Sequence, residues 1–278
     1  MHIWQAILLG IVEGLTEFLP VSSTGHLTVV EKLLGLRVDD AGVTAYTAII
    51  QVGAIAAAII YFWRDIVRLV LGFVRGVTSA EARQSQDWRM AMNVIVGTIP
   101  VAVVGLLAKP LIEGPLRSLW VVANALIAWS VVMVFAEYRA TKKRGEADLG
   151  VKDAALIGLA QCAALVPGVS RSGATISAGL LRGVDRVAAT RLSFFLGIPA
   201  LTAAGGLEAV SQAKQVSATV GWASTGVGIV VSFLVGYASI AWLLKFVANH
   251  SLVSFVGYRV AAGLAVIGLL ASGLIAAT

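Results

Sequence analysis

The chain has 278 residues, of which 58% are hydrophobic and only 13% charged, with a mean hydropathy of +0.89 and a net charge of +6. Soluble globules typically carry about 25% charged residues, so that class is excluded. The basic residues sit at the ends of apolar segments rather than in one soluble patch, which points to membrane topology and anionic headgroups and away from nucleic acid.

Taken in chain order, the first element covers residues 2–35. It is apolar but broken near its middle by Pro, Gly and Ser, and reads as a helix pair that enters a membrane and turns back. Spans at about 43–63, 90–111 and 117–138 follow, each near the roughly 20 residues that cross a hydrocarbon core. A second broken pair occupies 152–182, and further spans lie at 187–210, 219–245 and 253–277. The apolar runs are continuous rather than alternating, which argues against a barrel. No Lys or Arg precedes Lys32, so the basic start of a cleaved signal peptide is missing and the first segment is expected to be retained. Cys162 is the single cysteine; it rules out an internal disulfide and is expected to be an inert buried thiol. The fold class expected is an all-α polytopic membrane protein. It has about six transmembrane helices plus two re-entrant hairpins, in one integral membrane domain.

Charge sets an orientation. Arg64, Arg68, Arg75, Arg83 and Arg89 follow the first span, Arg139, Lys142, Lys143, Arg144 and Lys152 follow the third, and Arg182, Arg186 and Arg191 precede the fourth. Placing these loops in the cytoplasm leaves 36–42, 112–116, 211–218 and both termini outside. Three spans separate the two broken hairpins, and an odd number inverts the second relative to the first. The expectation is an inverted-topology repeat, of about 1–140 and 150–278, with the hairpin tips meeting near the midplane.

The hairpins also match each other in sequence. At an offset of 148 residues Gly10 falls on Gly158, Glu13 on Gln161, Val21 on Val169, Ser22 on Ser170 and Gly25 on Gly173. Ionisable groups within apolar helices are a functional-site hypothesis by default. Glu13 and Glu17 are spaced i, i+4 and face one side of a helix. Such a pair shares a cation, holds a proton or faces water; a divalent cation such as Mg²⁺ would take water and phosphate as further ligands. Pro20 breaks the first helix, and Ser22, Ser23 or Thr24 can cap the next, whose N-terminus offers free N–H groups to an anion. His26 is the only histidine within a polar break. The second hairpin repeats the device and adds Arg171, which needs an anion: either a glutamate of the first hairpin or a phosphate held with Ser170, Ser172 and Thr175. Gln51, Asn93, Asn124 and Gln161 could line a cavity or bond a neighbouring helix, and the interhelical bond is the expected role of the last three. Walker A, HExxH and GxSxG sequences are absent, and three scattered histidines exclude a histidine-rich metal centre. On the residues alone, a phosphate-binding hydrolase and a carrier remain open.

The segment VEGLTEFLPVSSTGH, the run from Pro167 to Thr175 (PGVSRSGAT), and the FWR at 62–64 and GIP at 197–199 resemble the undecaprenyl-pyrophosphate phosphatase family of bacitracin-resistance proteins. The resemblance covers most of the chain. It implies hydrolysis of undecaprenyl pyrophosphate to the monophosphate, recycling the lipid carrier of cell-wall synthesis and conferring bacitracin resistance. It also implies a bacterial inner-membrane location, a site open to the outer (periplasmic) side and dependence on a divalent cation, Mg²⁺ or Ca²⁺. Carried over by position, Glu13, Glu17, Ser23, His26 and Arg171 are the catalytic candidates, and Glu13 and Glu17 also the metal ligands. Ser22, Ser170, Arg171, Ser172 and Thr175 would bind the phosphates. The nucleophile is open between Ser23, His26 and a metal-bound water, with Ser23 preferred. The expected partners are the polyprenyl pyrophosphate and membrane lipids, and the assembly is open between monomer and homodimer.

Overall fold

The computed structural model describes residues 1–36 and 41–277, with side chains at 41, 113 and 207–219 left out of account. Its described residues are helical, in the order α1 (Ile3–Thr16), α2 (Ser23–Leu33), α3 (Ala41–Tyr61), α4 (Trp63–Thr78), α5 (Gln86–Leu107), α6 (Lys109–Glu113), α7 (Leu119–Arg139), α8 (Val151–Gln161), α9 (Arg171–Leu181), α10 (Arg186–Thr219), α11 (Trp222–Asn249) and α12 (Val256–Ala271). Six helices among the described residues are long and apolar enough to cross a membrane: Gly42–Tyr61, Gln86–Leu107, Leu119–Arg139, Arg186–Gly206, Trp222–Asn249 and Leu252–Ala271. These are the six expected spans, with boundaries shifted by a few residues. The expected loop 211–218 instead continues α10 as helix to Thr219.

The arms of the two broken elements are too short to cross. α1 has 14 residues and α2, α8 and α9 have 11 each, so at about 1.5 Å per residue the arms would cover roughly half to two-thirds of a 30 Å core. Each first arm docks on a helix from the far half of the chain: α1 packs on α11, and α8 packs on α5. Glycine makes both approaches close. A methyl group at Gly10 would sit 2.8 Å from the Gly228 carbonyl oxygen, and one at Gly158 would sit 2.2 Å from that of Gly97. These are the two glycines that the 148-residue offset superimposes. The spans pair in the same crossed manner, α3 with α10 and α7 with α12.

A second element also departs from expectation. Residues 63–78, read as part of a basic loop, form the amphipathic helix α4. Trp63, Val67, Val70, Leu71, Val74 and Val77 are exposed along one face at helical spacing, while Leu69, Gly72 and Gly76 are buried. The arginines in this stretch hide an apolar stripe of period 3.6.

Several of the basic residues behind the expected orientation also make ion pairs. Asp153, buried at the start of α8, takes bonds from Arg144 (Nη1 to Oδ1, 3.1 Å; Nη2 to Oδ2, 2.5 Å) and from Arg182 Nε at 2.8 Å. The adjoining guanidinium of Arg144 holds the Asp153 carboxyl well below the usual carboxylate range. Glu137 at the end of α7 accepts from Lys142 and Arg186, and Arg191 bonds Glu146 and Asp65.

Candidate active site

Each hairpin turns at a serine in a conformation that L-residues avoid. Ser22 has φ 76° and Ser170 has φ 78°, and these are equivalent positions under the offset. Each serine is the N-cap of the second arm, α2 or α9. Backbone held there costs on the order of 1–3 kcal/mol and persists only where surrounding contacts over-determine it. Those contacts are present. Ser170 Oγ accepts from the Gly173 N–H at 3.2 Å and pairs with Ser172 Oγ at 3.1 Å. Ser22 Oγ accepts from the Gly168 N–H at 3.0 Å, so its hydroxyl ties the first tip to the second.

A second tie comes from a residue that the sequence reading passed over. Arg259 on α12 is fully buried. Its guanidinium donates to Ser130 Oγ (3.1 Å), Pro20 O (2.8 Å), Leu126 O (3.2 Å), Gly168 O (3.0 Å) and Val169 O (3.2 Å). It therefore holds the carbonyls of both tips at once, without a carboxylate among those partners. The signal was available: Arg259 is the only charged residue between Lys245 and the end of the chain.

The tips floor a cavity of about 500 Å³ whose walls come from α3, α5, α6 and α10. Thr16, Glu17, Ser22, Ser23, Ser170 and Arg171 supply its polar end, and Val101, Leu106, Ile112 and Leu201 are among its apolar walls. Ser23 Oγ donates to Glu17 Oε2 at 2.7 Å. Arg171 Nη1 donates to Ser193 O at 2.9 Å, and its Nη2 reaches Glu17 Oε1 at 3.4 Å. Arg171 Nε is buried and bonds nothing. Both alternatives raised for Arg171, a glutamate and an external anion, thus have a basis: one face meets Glu17 while one donor stays unused.

The expected site residues divide into two groups. Glu17, Ser22, Ser23, Ser170 and Arg171 line the cavity. Glu13 lies one turn behind Glu17, almost wholly buried, and its Oε1 has no partner. Ser172, Thr175 and His26 do not line the cavity, contrary to the direct contacts expected of them. Thr175 Oγ1 bonds Arg171 O (2.8 Å) and Ser193 Oγ (2.7 Å), bracing the arginine from behind. Ser172 is buried against Ser170. His26 Nδ1 donates to Ser22 O at 2.7 Å, leaving Nε2 to accept from the Tyr258 hydroxyl at 2.7 Å, with the two rings stacked. The side chains alternate in and out because each follows a sharp turn into a helix, where only one residue in three or four faces a given side.

The donor set fits a divalent cation modestly. Among the described residues no group of three or more His, Cys, Asp or Glu side chains could hold a metal. Two carboxylates one turn apart, one with an unpaired buried oxygen, match an ion that completes its shell with water and phosphate.

Fold and cavity together define a polytopic helical membrane protein with a polar pocket at the meeting of two short helical hairpins. Residues 6–265 match the family described as bacitracin resistance protein BacA. The chain is 57% identical to undecaprenyl-diphosphatase 1 of Streptomyces coelicolor, covering 99% of this chain and 98% of that one. It is 55% identical to the undecaprenyl-diphosphatase of Cutibacterium acnes over the whole of both chains. It is 48% identical to that of Corynebacterium diphtheriae, over 98% and 96%. The chain belongs to the bacitracin resistance protein BacA family.

Proposed function

We propose that this chain is an undecaprenyl-diphosphatase, hydrolysing undecaprenyl pyrophosphate to undecaprenyl phosphate and phosphate. The observation that carries the mechanism is the Ser23–Glu17–Arg171 constellation at the polar end of a largely apolar cavity. The pyrophosphate occupies that end, and the prenyl chain leaves along the apolar walls. Arg171, with its unused Nε, and the free N–H groups at the start of α2 offset the headgroup's charge. Preorganised donors of this kind dominate phosphoryl transfer.

Ser23 is the preferred nucleophile over His26, because Ser23 lines the cavity while both His26 nitrogens are engaged by Ser22 and Tyr258. Ser23 Oγ attacks the terminal phosphorus as Glu17 Oε2 takes its proton. The bond from that phosphorus to the bridging oxygen breaks, and undecaprenyl phosphate leaves. Water then attacks the phosphoserine, Glu17 returns the proton to Ser23 Oγ, and phosphate is released. Glu13 and Glu17 would hold Mg²⁺ or Ca²⁺, whose chemistry is to draw charge from the phosphoryl oxygens. The cavity lining includes Lys109 and Ile112, next to a loop that the charge rule puts outside, which supports a site open to the periplasmic face. The test is phosphate release from undecaprenyl pyrophosphate by purified protein in detergent, where there are no two sides. Steady turnover is expected; binding without release would favour a carrier instead.

A further inference from the structure

Gln161 ends α8 just before the second tip and is 1% exposed. Of the two roles its sequence allows, the expected interhelical hydrogen bond is not made: neither Oε1 nor Nε2 has a partner. Among the described residues it is the only side chain with two such orphaned atoms. An unpaired buried polar group costs about as much as a lost hydrogen bond, so two on one residue ask for a reason. The position supplies one. Gln161 lines the same cavity as Glu17, Ser23 and Arg171, and it stands where the first hairpin carries Glu13.

We infer that Gln161 is a substrate-contacting residue whose Nε2 donates to a phosphoryl oxygen of the bound pyrophosphate. The inference rests on the diphosphatase reading above and deepens it. Glu17 already brings one carboxylate to this end of the cavity, with Glu13 one turn behind it. A third, at the matching place in the second hairpin, would repel a polyanionic headgroup. An amide of the same shape keeps a donor there without the charge. Gln161 Nε2 and Arg171 Nε are the two orphaned donors of the cavity lining, and one anion can satisfy both.

The experiment compares Gln161→Met and Gln161→Glu with the wild type, as full chains in detergent, for kcat, KM and thermal stability, with inorganic pyrophosphate as a binding probe. Gln161→Met removes both orphaned atoms at similar length. Its melting temperature should equal or exceed that of the wild type, while KM rises about tenfold, the cost of one good hydrogen bond to a charged group. The rise in melting temperature on adding pyrophosphate should shrink with it. Gln161→Glu should lose more, through repulsion. Either variant retaining wild-type kcat/KM would overturn the inference and leave Gln161 as a buried residue satisfied by water. A wild type that releases no phosphate would instead sink the diphosphatase reading, and the pyrophosphate melts would still report on Gln161.

Discussion

Gly197 on α10 offers a way to move the guanidinium of Arg171 without touching Arg171. A methyl group at 197 would sit 2.2 Å from Arg171 Nη1 and 2.6 Å from its Cζ, where ordinary contact begins near 3.4 Å. In Gly197→Ala the guanidinium therefore retreats by about 1.2 Å, breaking its 2.9 Å bond to Ser193 O. The clash is with the far end of a long side chain rather than with backbone, and alanine is the better helix former by about 1 kcal/mol, so the fold should hold. Misplacing a positioning group by about 1 Å costs on the order of a hundredfold, or about 2.7 kcal/mol of transition-state stabilisation. The assay is kcat/KM for phosphate release in detergent, beside a melting curve. The expected result is a protein that melts near the wild-type temperature and has lost about two orders of magnitude in kcat/KM. A Gly197→Ala protein with kcat/KM within threefold of wild type would refute the idea that Arg171 must sit where the structure holds it.

Other outcomes follow from the same geometry. Arg259→Met strands the carbonyls of Pro20, Gly168 and Val169 and should cost about 3 kcal/mol or more, at roughly 1 kcal/mol for each unpaired buried acceptor; a melting temperature equal to wild type would contradict this. Ser23→Ala should abolish turnover, and acid-quenched wild type should carry phosphate on Ser23 by mass mapping; a label on His26 would reverse the assignment. EDTA should stop turnover and Mg²⁺ or Ca²⁺ restore it; full activity of the stripped protein would remove the metal role of Glu13 and Glu17. Because the folded-state pKa of Asp153 is depressed by Arg144, its contribution is complete above the ordinary carboxylate range and lost as pH falls below it. The melting temperature should therefore drop more steeply below about pH 4 in wild type than in Asp153→Asn, and parallel curves would count against the ion pair.

The spans and the breaks between short helices were legible because a membrane enforces long apolar runs and punishes every polar interruption. The same rule made Glu17, Ser23 and Arg171 stand out, and the structure brings Ser23 and Arg171 each within bonding reach of Glu17. What stayed hidden depends on which way a side chain leaves its helix. His26, Ser172 and Thr175 share motifs with the cavity residues yet face away, and a linear motif carries no such direction. Arg259 escaped notice because it stands alone in a span, outside any motif, although an unpaired charge there deserved the same suspicion as Glu13. Helix α4 was lost among its arginines, and Gln161 was assigned the commonest role of a buried amide. In that last case the ordinary assumption failed because its would-be partner helices offer it nothing.

The strain at the two tips explains why so much of the molecule converges on them. Ser22 and Ser170 turn their chains in a costly conformation, and neither hairpin arm is long enough to anchor itself across the membrane. Each first arm is instead gripped by a span of the opposite half through Gly10 or Gly158, and both tips are gripped by Arg259. The turn is worth that cost because it points a fresh helix N-terminus, with its unpaired N–H groups, at a common pocket from each side. A relaxed turn at either serine would swing its helix start away, and Ser23 or Arg171, the first residue of each new helix, would leave the cavity with it. The matched strain and the division of residues between the hairpins are thus one design: two similar turns aim different chemistry, carboxylate and hydroxyl from one hairpin and guanidinium from the other, at one pocket.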